Sequence, residues 1–111
     1  MAPILRGEIV WADLNPARGR EQGGHRPAVV ISADPFNARS GTIIVMAITS
    51  QDPKMPFPMS MELTKTKLPK RSWAKIHQVR TLALERIGKR IGRVDPTELE
   101  QLISGLNEIV S

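Results

Sequence analysis

The sequence predicts a mainly β domain with some α: a small curled sheet or barrel of short antiparallel strands capped by a C-terminal helix. Three observations carry this. The apolar runs are short and rich in β-branched residues, and the stretches between them are dense in Gly, Pro, Asn and Asp. A long apolar stripe at helical spacing occurs once, at the end of the chain. A length of 111 residues suits one core and is too short for two, so residues 1–111 are read as a single domain.

Each element has its own signal. Gly7 to Leu14 alternates as a strand, with Ile9 and Trp11 on one face and Val10 and Ala12 on the other. Asn15 to Arg26 is a polar, glycine-rich loop. Pro27 to Ser32 and Thr42 to Thr49 are nearly continuous apolar runs, as expected of strands buried on both faces. Ala33 to Gly41, between them, reads as a turn. Ser50 to Pro58 holds Pro53, Pro56 and Pro58 and cannot join a central strand. Met59 to Leu63 and Ser72 to Val79 alternate with period two, and Thr81 to Glu85 reads as one turn of helix. Arg86 to Val94 is a further strand in which Gly88 and Gly92 mark bends or close approach. Asp95-Pro96-Thr97-Glu98 then supplies an N-cap, a proline at the first helical position and an acid three residues after the cap. Leu99, Leu102, Ile103, Leu106, Ile109 and Val110 follow as one stripe.

Composition excludes several chemistries. The chain has no Cys and no Tyr, which removes disulfides, thiolate zinc sites and Cys or Tyr nucleophiles. His25 and His77 lie far apart and in no metal-ligand spacing, and no Asp-x-Asp cluster suits magnesium, so neither a metal nor a cofactor is expected. A His25/His77 acid–base pair is open on residue type alone, although nothing in the sequence brings the two together. The nucleophile elbow Gly-x-Ser-x-Gly does not occur. Residues 19–24 lack the Lys-Ser/Thr end of a phosphate-binding loop and the helix that should follow it. No apolar run approaches the ~20 residues of a membrane span. Met1-Ala2-Pro3 opens no signal pattern, and a cytoplasmic location without membrane contact is expected.

The net charge of +5 is unevenly spread. Residues 1–63 balance six basic against six acidic side chains, whereas residues 64–93 carry ten basic residues and only Glu85 as an acid. That segment reads as a docking surface for a polyanion. A phosphodiester can be cut without a metal if the substrate is RNA, which supplies its own 2′-OH nucleophile. The protein must then align or deprotonate that hydroxyl, donate a proton to the 5′-oxygen and stabilise developing charge. Arg26 stands where the polar loop enters an apolar strand, and Thr49 and Ser50 where another leaves, so both places put side chains on a rigid rim. The residues themselves reach a basic β-rich domain without a metal, and leave open whether its charge serves RNA or is a solvated, solubilising face.

An ordered set of motifs extends this reading. Residues 6–16 (RGEIVWADLNP) followed by residues 19–31 (GREQGGHRPAVVI) resemble the opening of the MazF/PemK family. The similarity continues through Ala47-Ile48-Thr49-Ser50, Ser72 and Gln78-Val79-Arg80-Thr81-Leu82, collinear over residues 5–110. The resemblance implies a small SH3-like barrel with a terminal helix, paired as a homodimer. It implies the toxin of a type II toxin–antitoxin pair, a metal-independent, sequence-specific endoribonuclease. Such an enzyme cleaves single-stranded messenger RNA to a 2′,3′-cyclic phosphate and a 5′-hydroxyl and so inhibits translation. Its partner would be a cognate antitoxin whose acidic, partly disordered tail covers the RNA groove.

By the same resemblance, Arg26 and Thr49 are the catalytic pair. Arg26 would align or deprotonate the 2′-OH and stabilise the phosphate charge; arginine is a poor base, so electrostatic stabilisation is favoured. Thr49 would hydrogen-bond the phosphate and assist the leaving oxygen. Glu21, Gln22, Ser50, Ser72 and Gln78 would contact RNA through base edges and backbone, because Trp11, Phe36, Phe57 and Trp73 are too few for stacking to be the main device. His77 stands where relatives more often carry an acid, a departure that bears on base preference. Two other classes are weighed beside this one. A toxin of the same fold could poison a protein such as gyrase, or the chain could be a non-catalytic nucleic-acid-binding module; neither needs both Arg26 and Thr49.

Overall fold

In the computed structural model, residues 3–111 are described; Met1 and Ala2, part of the N-terminal segment read above as lacking a signal pattern, lie outside them. The elements run β1 (Glu8–Asp13), β2 (His25–Val30), α1 (Asp34–Ser40), β3 (Thr42–Thr49), β4 (Ser60–Glu62), β5 (Trp73–Ala83), a 3-10 turn (Leu84–Arg86), β6 (Ile87–Arg93) and α2 (Pro96–Val110). All strand pairs are antiparallel, in the order β4-β5-β3-β2-β1-β6. The mainly β architecture with a terminal helix is as expected. The sheet does not close into a barrel, however: β4 and β6 are its edges. A three-residue β4 and a β6 broken in register against β1 offer little ladder for closure.

The apolar runs of β2 and β3 are buried on both faces, as their continuity predicts. One cluster gathers Ile9, Val29, Met46, Ile48, Ile76 and Leu102 under α2; a second gathers Val10, Ala12, Ala28, Val30, Val45 and Leu82 on the opposite face. Two local readings are corrected. Ala33 to Gly41 contains α1 and is not a simple turn: Pro35 sits in the first turn and Gly41 closes the helix at φ 71°, so the turn formers punctuate a helix. Thr81 to Ala83 extend β5, and the single helical turn begins only at Leu84.

α2 starts as expected. Asp95 caps it by accepting from the backbone N–H groups of Thr97 and Glu98 at 3.0 and 3.1 Å. Leu102 is fully buried, and Leu99, Ile103 and Leu106 pack against the same cluster. Each fully buried leucine of this kind contributes about 1.5–3 kcal/mol. The stripe does not continue into the core at its end, where Ile109 and Val110 remain exposed. Glu98 is not the reciprocal half of a capping box. Its buried carboxylate turns away to accept from the N–H groups of Thr64 and Lys65 at 2.9 and 3.2 Å and from the Thr66 hydroxyl at 2.6 Å.

Candidate active site

Arg26 enters from β2 and Thr49 ends β3. The β2–β3 register pairs Ala28 with Ala47, Val29 with Met46 and Val30 with Val45; continued two residues, it sets Arg26 opposite Thr49. Both line two adjoining cavities. The first, about 260 Å³, is completed by Gln22, Ser50, Gln51, Asp52, Pro53 and Lys75. The second, about 500 Å³, is lined also by Trp11, His25, Pro27, Leu68, Pro69, Lys70, Ser72 and Ile91. Rigid strand ends therefore carry both side chains to the rim of the sheet.

Arg26 is pinned by its Nε, which donates to the Gly23 carbonyl at 2.9 Å. Its terminal nitrogens make no hydrogen bond among the described residues and remain available to an anion in the bidentate manner of a guanidinium. Thr49 is largely buried, and its Oγ1 accepts from the Gln51 N–H at 3.2 Å, which leaves the hydroxyl proton free to donate.

An irregularity in β5 supplies the third side. Met46 pairs with Val79 and Ile48 with Ala74, so Ala47 alone stands opposite residues 75–78. This extra length lets β5 reach the glycine-rich loop. Lys75 Nζ donates to Gln22 Oε1 at 2.7 Å, the Gln22 N–H donates to Gln78 Oε1 at 3.0 Å, and Gln78 Nε2 donates to the Arg20 carbonyl at 3.2 Å. Burial, and then the neighbouring Arg26 charge, hold Lys75 below the usual lysine range.

Of the RNA-contact residues expected from the sequence, Gln22, Ser50 and Ser72 lie on these cavities, and Ser72 donates to the Lys70 carbonyl at 2.8 Å. Gln78 stands behind Gln22 as a strut. Glu21 lines neither cavity; its carboxylate accepts from the Arg18 N–H at 2.7 Å within its own loop. The two histidines are engaged separately, His25 lying 3.7 Å from Asp13 and His77 3.1 Å from the Met59 carbonyl, so they form no acid–base pair. No group of three His, Cys, Asp or Glu side chains among the described residues could hold a metal ion. Nor is any described helix long and apolar enough to cross a membrane.

The basic segment is also redistributed. Arg80 donates to the Leu14 carbonyl, Arg86 to that of Asn15 at 2.5 Å and Arg93 to that of Arg6 at 3.2 Å, while Arg90 lies 3.4 Å from Glu8. Arg71 pairs with Glu62 at 2.6 Å and lies over the Trp73 ring. Only Lys70 and Lys75 of that segment line the two cavities. Sequence reasoning does not single out Lys75, and no spacing rule could: the irregular β5 pairing alone brings it beside Gln22.

Residues 5–110 match the model of a family described as PemK-like, MazF-like toxin of type II toxin–antitoxin system. The chain is 43% identical over 109 residues to endoribonuclease MazF9 of Mycobacterium tuberculosis, covering 93% of this chain and 92% of that protein. Among solved structures it resembles MazF from Deinococcus radiodurans, with a TM-score of 0.86 at 25% identity, covering 99% of this chain and 98% of the other. It also shares its fold with a mycobacterial endoribonuclease solved in complex with its cognate antitoxin, at TM-score 0.77 and 18% identity over 99% and 95% of the two chains.

Proposed function

The chain belongs to the family of PemK-like, MazF-like toxins of type II toxin–antitoxin systems, and from that premise we propose that it is an endoribonuclease that cuts single-stranded RNA at a short sequence without a metal and so arrests translation. The single observation that carries this reading is the convergence of Arg26 and Thr49 on the rim shared by both cavities. RNA brings the 2′-OH as nucleophile, and the protein's task is to hold the phosphate in line and stabilise the charge that gathers on its oxygens.

Arg26, fixed at Nε, offers its terminal nitrogens to the equatorial phosphate oxygens. Thr49 donates its hydroxyl to the phosphate on the leaving side, held in place by the Gln51 N–H. Gln22, Ser50 and Ser72 line the path of the strand and meet base edges and backbone, and Gln78 supports Gln22. The products are a 2′,3′-cyclic phosphate and a 5′-hydroxyl. The toxin acts as a homodimer and is neutralised by a cognate antitoxin whose acidic tail covers the same groove, displacing RNA by charge and by occupancy.

Incubation of the purified protein with mixed RNA in excess EDTA, with the new ends mapped, tests this. A defined set of cuts bearing 5′-hydroxyls is expected. Intact RNA bound in a salt-dependent way would mark a binding module, and altered DNA supercoiling with intact RNA a toxin aimed at a protein.

A further inference from the structure

We propose that Asp52 reads the nucleobase beside the scissile phosphate and selects one with an exocyclic amine over uracil; the inference rests on the ribonuclease reading above. It starts from a mismatch of charge. The first cavity gathers Arg26 and Lys75, two cations suited to phosphate, and yet its wall also carries Asp52. A carboxylate repels phosphate and can only accept hydrogen bonds. The part of an RNA strand that it fits is therefore the donor edge of a base.

Its placement supports this. Arg26, Thr49 and Ser50 line both cavities, whereas Asp52 lines the first alone, on the loop that leaves β3 and to one side of the shared rim. Asp52 Oδ1 accepts from the Lys54 N–H at 2.8 Å, across Pro53, which fixes the carboxylate. Oδ2 makes no hydrogen bond among the described residues. Arg71, close enough to feel this charge, is committed to Glu62 by bonds of 2.6 and 3.1 Å. Other acceptors on the cavity are already engaged, Gln22 Oε1 by Lys75 and Thr49 Oγ1 by the Gln51 N–H. Asp52 is thus the strongest open acceptor on a wall rich in donors.

The bases sort by what they offer. Adenine presents its N6 amine, cytosine its N4 amine, and guanine an N1–H beside its N2 amine, each a match for a carboxylate. Uracil presents a single N–H between two carbonyls, which the carboxylate repels. A site built around a donor also leaves its own acceptor unpaired when uracil enters, so discrimination is strong.

The test uses single-stranded RNA oligonucleotides carrying one mapped cleavage site. At the nucleotides on either side of the cut, in turn, the exocyclic amine is replaced by hydrogen: adenosine becomes purine riboside, guanosine inosine, and cytidine 2-pyrimidinone riboside. At one of the two positions the wild-type protein is expected to lose about 10–10²-fold in kcat/KM. Asp52→Ala should cleave the amine-bearing oligonucleotide about as slowly, with no further loss when the amine is deleted. Asp52→Asn, whose amide can donate to the uracil O4, should accept uracil there. Asp52 is exposed, so circular dichroism should be unchanged in both variants. Three results overturn the role of Asp52 while leaving the nuclease reading standing: uracil accepted by the wild-type protein on both sides of the cut, amine deletion without effect at both positions, or losses that multiply when deletion and Asp52→Ala are combined. RNA left intact by the wild-type protein overturns both.

Discussion

Arg26 is held to Gly23 through a 2.9 Å hydrogen bond from its Nε to the glycine carbonyl, so the loop that precedes β2 aims the guanidinium that β2 carries. Gly23 has little room to change. A Cβ there would lie 2.8 Å from the Ala17 Cβ and 3.2 Å from Asn15 Oδ1, the atom that accepts from the Gly24 N–H at 2.9 Å. Gly23→Ala is therefore expected to displace the carbonyl and cut kcat by roughly 10–10²-fold, since small misplacements of an aligning group are costly. Single-turnover cleavage kinetics check this, with Arg26 itself untouched.

Thr49 gives a sharper contrast. Thr49→Ala removes the hydroxyl and is expected to lower the cleavage rate by about 10²-fold or more. Loss of the bond from the Gln51 N–H costs only about 1 kcal/mol of stability, so the melting temperature should move little. Thr49→Ser, which keeps the donor, should retain most activity. Rates and melting curves measured on the same preparations separate the two effects.

Glu98 is expected to matter for stability and not for chemistry. Its buried carboxylate satisfies three donors at residues 64–66, and the Thr66 hydroxyl in turn accepts from the Asp95 N–H at 2.9 Å, which joins that loop to the start of α2. Glu98→Ala leaves those donors unpaired, at a cost on the order of 3 kcal/mol. A fall in melting temperature of roughly 10 °C is expected, read by differential scanning calorimetry.

Lys75 gives a signature in pH. Its folded pKa lies below the ordinary 10.5, so between the folded value and 10.5 the unfolded chain binds more protons than the folded one. Stability must then rise with pH across that window, and below it the cost of holding the ammonium is fully present. The wild-type protein should gain stability relative to Lys75→Met as pH rises toward 10.5. Denaturant titrations at a series of alkaline pH values check the sign.

The sequence made the strands and α2 legible because their signals are local. The continuous runs of β2 and β3 and the Asp95-Pro96 start of α2 each rest on a few adjacent residues. α1 was hidden because Pro35 and Gly41 serve turns and helix ends alike. The open edge between β4 and β6 depends on long-range pairing that no window of sequence contains. The site divides the same way. Arg26 and Thr49 lie at recognisable strand ends within recognisable motifs. Lys75 looked like one cation among ten, and the roles of Arg80, Arg86 and Arg93 on backbone carbonyls were equally invisible, since each partner lies far away in the chain. The charge of residues 64–93 thus braces the fold more than it lines the cavities.

The most direct measurement compares wild-type protein, Arg26→Ala and Arg26→Lys on one mapped RNA site in excess EDTA, with circular dichroism confirming the same fold. Arginine contributes a pinned, two-pronged contact that a lysine point charge does not reproduce. Cleavage is expected to fall by about 10³-fold in Arg26→Ala and to be restored only in small part in Arg26→Lys, while both variants still bind RNA. Cleavage by Arg26→Ala at close to the wild-type rate would place the chemistry elsewhere on the molecule and contradict the account.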